Sequence, residues 1–187
     1  NDSSFASRDQ LLVTGNYLGE RMHFLVLHWP SRRGGEKKSR PKRIQAAKLS
    51  KKIIDSIQSF EKNAKIILMG DLNDDPVSSS VKDFLKAVGD VSSISENNLF
   101  NCMHEKYKKG IGSLAYRDNW NLFDQFIVSP PLISIGDDYS TFKFLSSTVY
   151  NKSYLKQKEG NFSGYPFRTY VGSNFMGGYS DHFPVYI

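Results

Sequence analysis

Two runs of consecutive apolar residues, Phe24-Leu25-Val26-Leu27 and Ile66-Ile67-Leu68-Met69, limit the folds open to this chain. A strand that is apolar at successive positions presents such side chains to both faces, so each run predicts a central strand covered on both sides. Both runs stop on polar residues, the first at His28 and the second at Gly70-Asp71. Between them lies a loop with Pro30, Gly34 and Gly35, then a segment whose spacing predicts a helix over 41–60. Ile44, Ala47, Ile53, Ile54 and Ile57 fall on one face at helical spacing, and the lysines fall opposite. Pro41 in the first turn and Asn63 beyond the last fit start and stop signals. Buried strands interleaved with an amphipathic helix indicate a layered α/β (α+β) domain.

The remaining chain adds edges to this centre. Gln10 to Val13 pairs naturally with the run from Met22 to Leu27 as a hairpin, since Gly15, Asn16 and Gly19 lie between them. A second helix is expected from about Ser79 to Val88, and a strand from Phe123 to Ser129 ends at Pro130-Pro131. A last strand runs from about Phe183 to Ile187. The stretch 89–121 is polar and Gly-rich and predicts no particular element. Residues 150–178 form a long aromatic, Gly-rich connection with Tyr150, Tyr154, Phe162, Tyr165, Phe167, Tyr170 and Phe175, of the kind that is functional or disordered. With 187 residues and no internal linker, the expectation is a single domain over 1–187.

Composition removes whole classes of function. At 39% hydrophobic and 24% charged residues the chain is neither disordered nor fibrous. No run approaches the ~20 apolar residues of a membrane span, and Asn1-Asp2-Ser3-Ser4 does not begin a signal peptide. One cysteine, Cys102, excludes an internal disulfide and a multi-cysteine zinc site. The net charge of +6 is concentrated. Residues 32–52 hold ten Lys or Arg against Glu36 alone, while the rest is slightly acidic. Such a segment suits a phosphate-bearing partner, nucleic acid first, and a plain solvated helix face explains it equally well.

Polar residues just past buried strands gather at one edge of a layered fold, where sites form. Here they are His28, Asp71 with Asn73, and Asp181-His182, with Asp124 inside a further strand. Each alone has an ordinary explanation. Gly70-Asp71-Leu72-Asn73-Asp74 is also a plausible turn, a lone histidine after a strand is commonly structural, and Asp181-His182 is a weak dipeptide. Their order and flanks are more specific. His28-Trp29-Pro30-Ser31-Arg32, Gly70 to Asp74, Leu122-Phe123-Asp124-Gln125-Phe126-Ile127-Val128-Ser129 and Ser180-Asp181-His182-Phe183-Pro184-Val185 resemble the successive motifs of the endonuclease/exonuclease/phosphatase superfamily, with the deoxyribonuclease I-like fold. The resemblance runs from about Arg8 to Ile187 and is closest to bacterial members described broadly as endonucleases.

That resemblance implies a four-layer sandwich of two packed mixed β-sheets flanked by helices, hydrolysing phosphate esters with Mg²⁺ or Mn²⁺. By the family pattern Asp71 positions or deprotonates the attacking water, and Asn73 holds phosphate or a metal-bound water. Asp181 is a metal carboxylate, His182 donates to the phosphate with Asp124 fixing its tautomer, and His28 is a second donor. Arg32, Arg33 and Arg117 are candidate phosphate clamps. The family's principal metal-binding Glu and a phosphate-contacting Asn lie upstream of the His28 position. The only upstream Glu here is Glu20, in a predicted hairpin turn. The chain therefore reads as N-terminally incomplete, the C-terminal two-thirds of such a domain, with a site that binds metal poorly by itself. The expected function is a metal-dependent phosphodiester hydrolase acting on nucleic acid, monomeric. The same motifs serve phosphomonoesterases, sphingomyelinases and inositol-phosphate phosphatases, and a catalytically incomplete phosphate- or nucleic-acid-binding module is the alternative from another class.

Overall fold

The structure is a computed structural model that describes residues 7–133 and 140–187. A long hairpin opens it, β1 (Leu11–Tyr17) and β2 (Glu20–His28), followed by α1 (Glu36–Phe60) and β3 (Lys65–Asp71). Short elements come next: β4 (Ala87–Val88), β5 (Leu99–Asn101), α2 (His104–Lys108), β6 (Leu114–Tyr116), β7 (Asn119–Asn121) and β8 (Asp124–Val128). The last part holds β9 (Thr148–Val149), β10 (Tyr170–Val171), β11 (Asn174–Phe175) and β12 (Val185–Tyr186). Six strands make one mixed sheet in the order β1-β2-β3-β8-β5-β4, and three two-stranded sheets, β6-β7, β10-β11 and β9-β12, complete the pairing. This is the mixed α/β architecture expected. Among the described residues no helix is long and apolar enough to cross a membrane.

The two apolar runs lie at the middle of the large sheet, β2 parallel to β3 and β3 antiparallel to β8. Alternate side chains of these strands face α1. Leu25, Leu27, Ile66, Leu68 and Ile127 pack there with Ala47 and Ile54 of the helix, all buried. Each large aliphatic so buried contributes ~1.5–3 kcal/mol before the entropy of ordering is charged against it. The opposite face buries Met22, Ile67, Phe100 and Val128 with Leu132. A separate cluster of Met103, Leu122, Val149, Leu155 and Phe183 sits under the small β9-β12 sheet and the loops around it.

Three expectations are corrected. The run Phe24–Leu27 is not covered on both faces: Val26 is 37% exposed, and every residue of β1 is exposed. Among the described residues, that face of β2 is covered at Met22 and Phe24 and open at Val26. The helix begins at Glu36, more than a turn before Pro41. Side chains brace the turn that Pro41 deprives of a backbone donor, with Ser39 Oγ donating to Gly35 O at 2.8 Å and Arg43 Nη2 to Glu36 O at 3.2 Å. In place of a helix over 79–88 there is one π-helical turn, Ser80–Phe84, then β4. Lys86, at φ +63°, turns the chain out of helical geometry.

Gly70 is required at the end of β3. Its φ of +137° is disfavoured for L side chains, and a Cβ there would run into the carbonyl of Leu27 on β2. Gly70→Ala is expected to cost at least about 2 kcal/mol and to lower Tm by roughly 4–8 °C. Gly15→Ala, with nothing within 4 Å of the added carbon, serves as the tolerated control in the same melting experiment.

Candidate active site

The edge where β2 and β3 end and β8 begins carries three polar side chains in one row. Strand pairing sets His28 beside Asp71 and Asp71 beside Asp124. Residues paired across a ladder project from the same face, so the three leave the sheet together. His28 Nε2 lies 3.4 Å from Asp71 Oδ2. From the far end of the chain His182 closes the group, its Nδ1 2.7 Å from Asp124 Oδ2. With Nδ1–H directed at Asp124, the Nε2 atom of His182 is free for a ligand.

Asn73 acts on Asp71. At φ +50° it occupies the left-handed region that Asn tolerates, which turns the chain back on itself. Its backbone N–H donates to Asp71 Oδ1 at 2.7 Å. Its side-chain amide donates to Trp29 O at 2.9 Å and to Asp71 Oδ2 at 3.3 Å. Asn73 therefore orients the Asp71 carboxylate and fastens it to the end of β2, with both amide hydrogens committed.

The electrostatics follow from crowding two carboxylates and two imidazoles. Burial, with the adjacent Asp124 charge adding to it, pushes the Asp71 carboxyl above its usual range, against the Asn73 N–H and the two histidines, which pull it down. Burial alone would lower the His182 imidazole. The hydrogen bond to Asp124, that carboxylate's charge, and the charges of Asp71 and Asp181 outweigh burial and hold the imidazole above its ordinary value.

The remaining residues singled out by sequence scatter. Asp181 is exposed beside His182 and acts on it through charge. Arg32 departs from the phosphate clamp expected of it. Its Nε donates to Asn73 O at 2.9 Å, its Nη2 reaches Asp74 and Asp75 at 3.1 and 3.2 Å, and its guanidinium stacks on Phe123 at 4.4 Å. It straps down the loop that carries Asn73. Arg33 is exposed in the loop before α1. Arg117, at φ +50° in the β6-β7 turn, lies over the Tyr116 ring at 5.3 Å and outside the row.

One member of the site went unread in the sequence. Ser113 is fully buried, donates its hydroxyl to Asp124 Oδ2 at 2.5 Å, and accepts the Phe183 N–H on its carbonyl at 2.7 Å. It fixes Asp124 and also the segment bearing His182. It lies in the polar stretch where no periodicity marks any residue, and no sequence signal distinguishes it from its neighbours.

A divalent cation does not fit the donors this chain assembles. Among the described residues, no group of three or more His, Cys, Asp or Glu gathers as a metal site. Asp71 is engaged by Asn73 and His28, and Asp124 by His182 and Ser113, which leaves Asp181 at the edge. Asp74 is buried in ion pairs with Arg43 and Arg32. Glu20 is held by Lys65 and by the Phe142 N–H at the far end of β2, ~26 Å from His28 at a strand's rise per residue. Mg²⁺ needs six oxygens in near-ideal geometry and gives up water reluctantly, so one free carboxylate is a weak anchor.

A family model described as Endonuclease/Exonuclease/phosphatase family matches residues 1–187. No curated protein matches the chain by sequence. Among solved structures, a truncated TDP2 from Caenorhabditis elegans is similar, with a TM-score of 0.56 at 16% identity over 94% of this chain and 57% of that one. A beta toxin variant from Staphylococcus aureus with bound magnesium ions gives 0.52 at 16% identity, over 93% of this chain and 55% of that one. A mannosyl-6-phosphatase from Bacteroides thetaiotaomicron gives 0.50 at 19% identity, over 90% and 51%. At such identities the likeness shows the fold alone, and the chain spans little more than half of each structure.

Two measurements check this geometry. Followed by NMR, the His182 imidazole should titrate above the ordinary ~6.5, and Asp124→Asn should bring it down. Since its folded-state pKa is raised, the pair contributes stability that is fully present below ~6.5 and lost as pH rises through the folded value. A His182 titration unmoved by Asp124→Asn would remove that carboxylate as the cause. Calorimetric titration of the 187-residue chain with Mg²⁺ or Mn²⁺ should show no saturable binding up to ~1 mM. Micromolar binding would mean that the donor set has been misjudged.

Proposed function

The chain belongs to the endonuclease/exonuclease/phosphatase family, and on that premise we propose that its site hydrolyses phosphodiesters, with nucleic acid as substrate. The observation that carries the reading is the row His28–Asp71–Asp124 closed by His182. Hydrolysis needs an oriented water and donors aimed at the charge that grows on the phosphoryl oxygens. Asp71, held at both oxygens and raised in pKa, is suited to orient that water and take its proton. His182, its imidazolium favoured by Asp124, is suited to present Nε2–H to a non-bridging oxygen. His28, half-exposed beside Asp71, is the second donor. Asn73 and Ser113 are positioning residues, acting through Asp71 and Asp124 respectively. The divalent cation that the fold family employs would neutralise phosphate charge. The described carboxylates of this chain do not assemble a site for it, Asp181 alone being left at the edge.

Nucleic acid is favoured by the charge on α1 and the loop before it. Arg33 in that loop and Lys37, Lys38, Lys42, Lys48 and Lys52 on α1 are exposed, and the loop adjoins the site through Arg32. The mannosyl-6-phosphatase of the same fold makes a phosphomonoester the second reading. Nucleic-acid binding should weaken steeply with salt, in proportion to the phosphates contacted, whereas a small monoester should show little such dependence.

In the full-length natural protein supplied with Mg²⁺, Asp71→Asn and His182→Ala should each lower hydrolysis of bis(4-nitrophenyl) phosphate by about two orders of magnitude or more. Circular dichroism should remain unchanged. Turnover within about threefold of wild type in both variants, a small fraction of the loss such groups normally cause, would take these residues out of the mechanism.

A further inference from the structure

Beside the site the aromatic stretch folds into a cavity of about 330 Å³, within the ~300–1,000 Å³ of small-molecule sites. Tyr116, Phe162, Tyr165 and Met176 line it together with Arg117 and Arg168. Neither guanidinium takes part in an ion pair among the described residues, and Arg117 lies over the Tyr116 ring. The cavity is a built feature. In its wall, Gln157 N–H donates to Tyr165 O and Gly164 N–H donates to Gln157 O, both at 2.8 Å. Tyr165 is fixed by its hydroxyl, which donates to Asp118 Oδ1 at 2.6 Å.

It is also coupled to the reacting edge. The N–H groups of Gly178 and Tyr179 donate to the carbonyls of Arg168 and Phe167, at 3.2 and 2.8 Å, on the segment that leads into Asp181-His182. Gly178 is there because a Cβ would collide with those same carbonyls. Trp120 bridges the two regions, 5.8 Å from the Tyr165 ring and stacked at 13° on Phe183, the neighbour of His182.

We propose that this cavity takes an unpaired nucleobase of a single-stranded nucleic acid whose adjacent phosphate lies at His182. The inference rests on the phosphodiester reading and names its substrate class. A base offers a flat π-face to Tyr116, Phe162 and Tyr165, and stacking of this kind tolerates any base. The nucleotide brings its own phosphates to Arg117 and Arg168, which match guanidiniums in charge and geometry. A lipid acyl chain would strip water from both cations and pair neither, a costly outcome in a concave space. A base-paired duplex cannot present a base to a pocket without unstacking it.

The test is equilibrium binding by fluorescence anisotropy, in EDTA so that nothing is cleaved. It compares a short oligothymidylate with an abasic oligomer of equal length. The shared phosphates cancel the contribution of the basic helix. The abasic oligomer should bind roughly fivefold or more weakly. Phe162→Ala, at a largely exposed ring, should narrow that gap, and Arg168→Gln should weaken both oligomers alike. Equal binding of the two oligomers by the unmodified chain overturns the inference, however the variants fold. So does binding to phosphatidylcholine–sphingomyelin vesicles that Phe162→Ala abolishes, without any base-dependent binding. Because no turnover is involved, such a failure leaves the hydrolytic reading to its own test with Asp71→Asn and His182→Ala.

Discussion

The buried ion pair between Arg43 and Asp74 holds the site edge of this molecule together. Both side chains are essentially inaccessible, with Arg43 Nε 2.8 Å from Asp74 Oδ2. Removing either partner from such a pair leaves a bare buried charge and costs roughly 3–5 kcal/mol. Asp74 also accepts from Ser80 Oγ at 2.6 Å, pairs with Arg32 at 3.1 Å, and gives its carbonyl to Gln125 Nε2 at 2.6 Å. One aspartate thereby links α1, the loop after β3, the π-helical turn and β8. The loop it anchors is the one that carries Asn73, so the left-handed turn that orients Asp71 is held from behind by charge burial.

Register converts that anchoring into chemistry. A central strand with one parallel and one antiparallel neighbour brings the end of β2, the end of β3 and the start of β8 to the same edge. A slip of one residue in either pairing would send His28 or Asp124 to the helix-covered face and dissolve the row. Once the row exists, its electrostatics are largely determined. Burial, with the charge of Asp124 adding to it, raises the pKa of Asp71, and Asp124 and Asp71 together favour the imidazolium of His182. A group poised to accept a proton and a group poised to donate a hydrogen bond thus arise from burial and mutual charge at one edge, which suits acid–base work on a phosphate ester.

The second half of the chain has little regular structure, yet it supplies His182 and the aromatic cavity. Its order comes from backbone bonds between distant loops and from ring contacts, among them Phe183 N–H to Ser113 O and Trp120 on Phe183. The site accordingly joins a rigid sheet edge, which provides the carboxylates, to a loop-built wall, which provides the imidazole and the aromatic lining. Rigid scaffold and variable loop are the usual division between chemistry and specificity.

What the sequence determined by itself is whatever one segment's pattern encodes. The apolar runs at 24–27 and 66–69 marked the central strands, helical spacing marked α1, and abrupt polar stops marked His28 and Asp71 as edge residues. The order of four motifs carried the family, and Glu20 read correctly as a hairpin residue, since it sits at the turn end of β2. Tertiary structure alone decided matters that depend on partners far along the chain. Arg43 counted in the sequence as one more cation of a basic face, and it became a buried counter-ion only because Asp74 meets it. Arg32 became a strap for the loop for the same reason. Ser113 carried no signal, and its role exists only because folding sets it between Asp124 and Phe183. Periodicity is a property of neighbouring residues and survives in the bare sequence. A hydrogen bond such as that from His182 to Asp124, 58 positions apart, is a property of the closed fold.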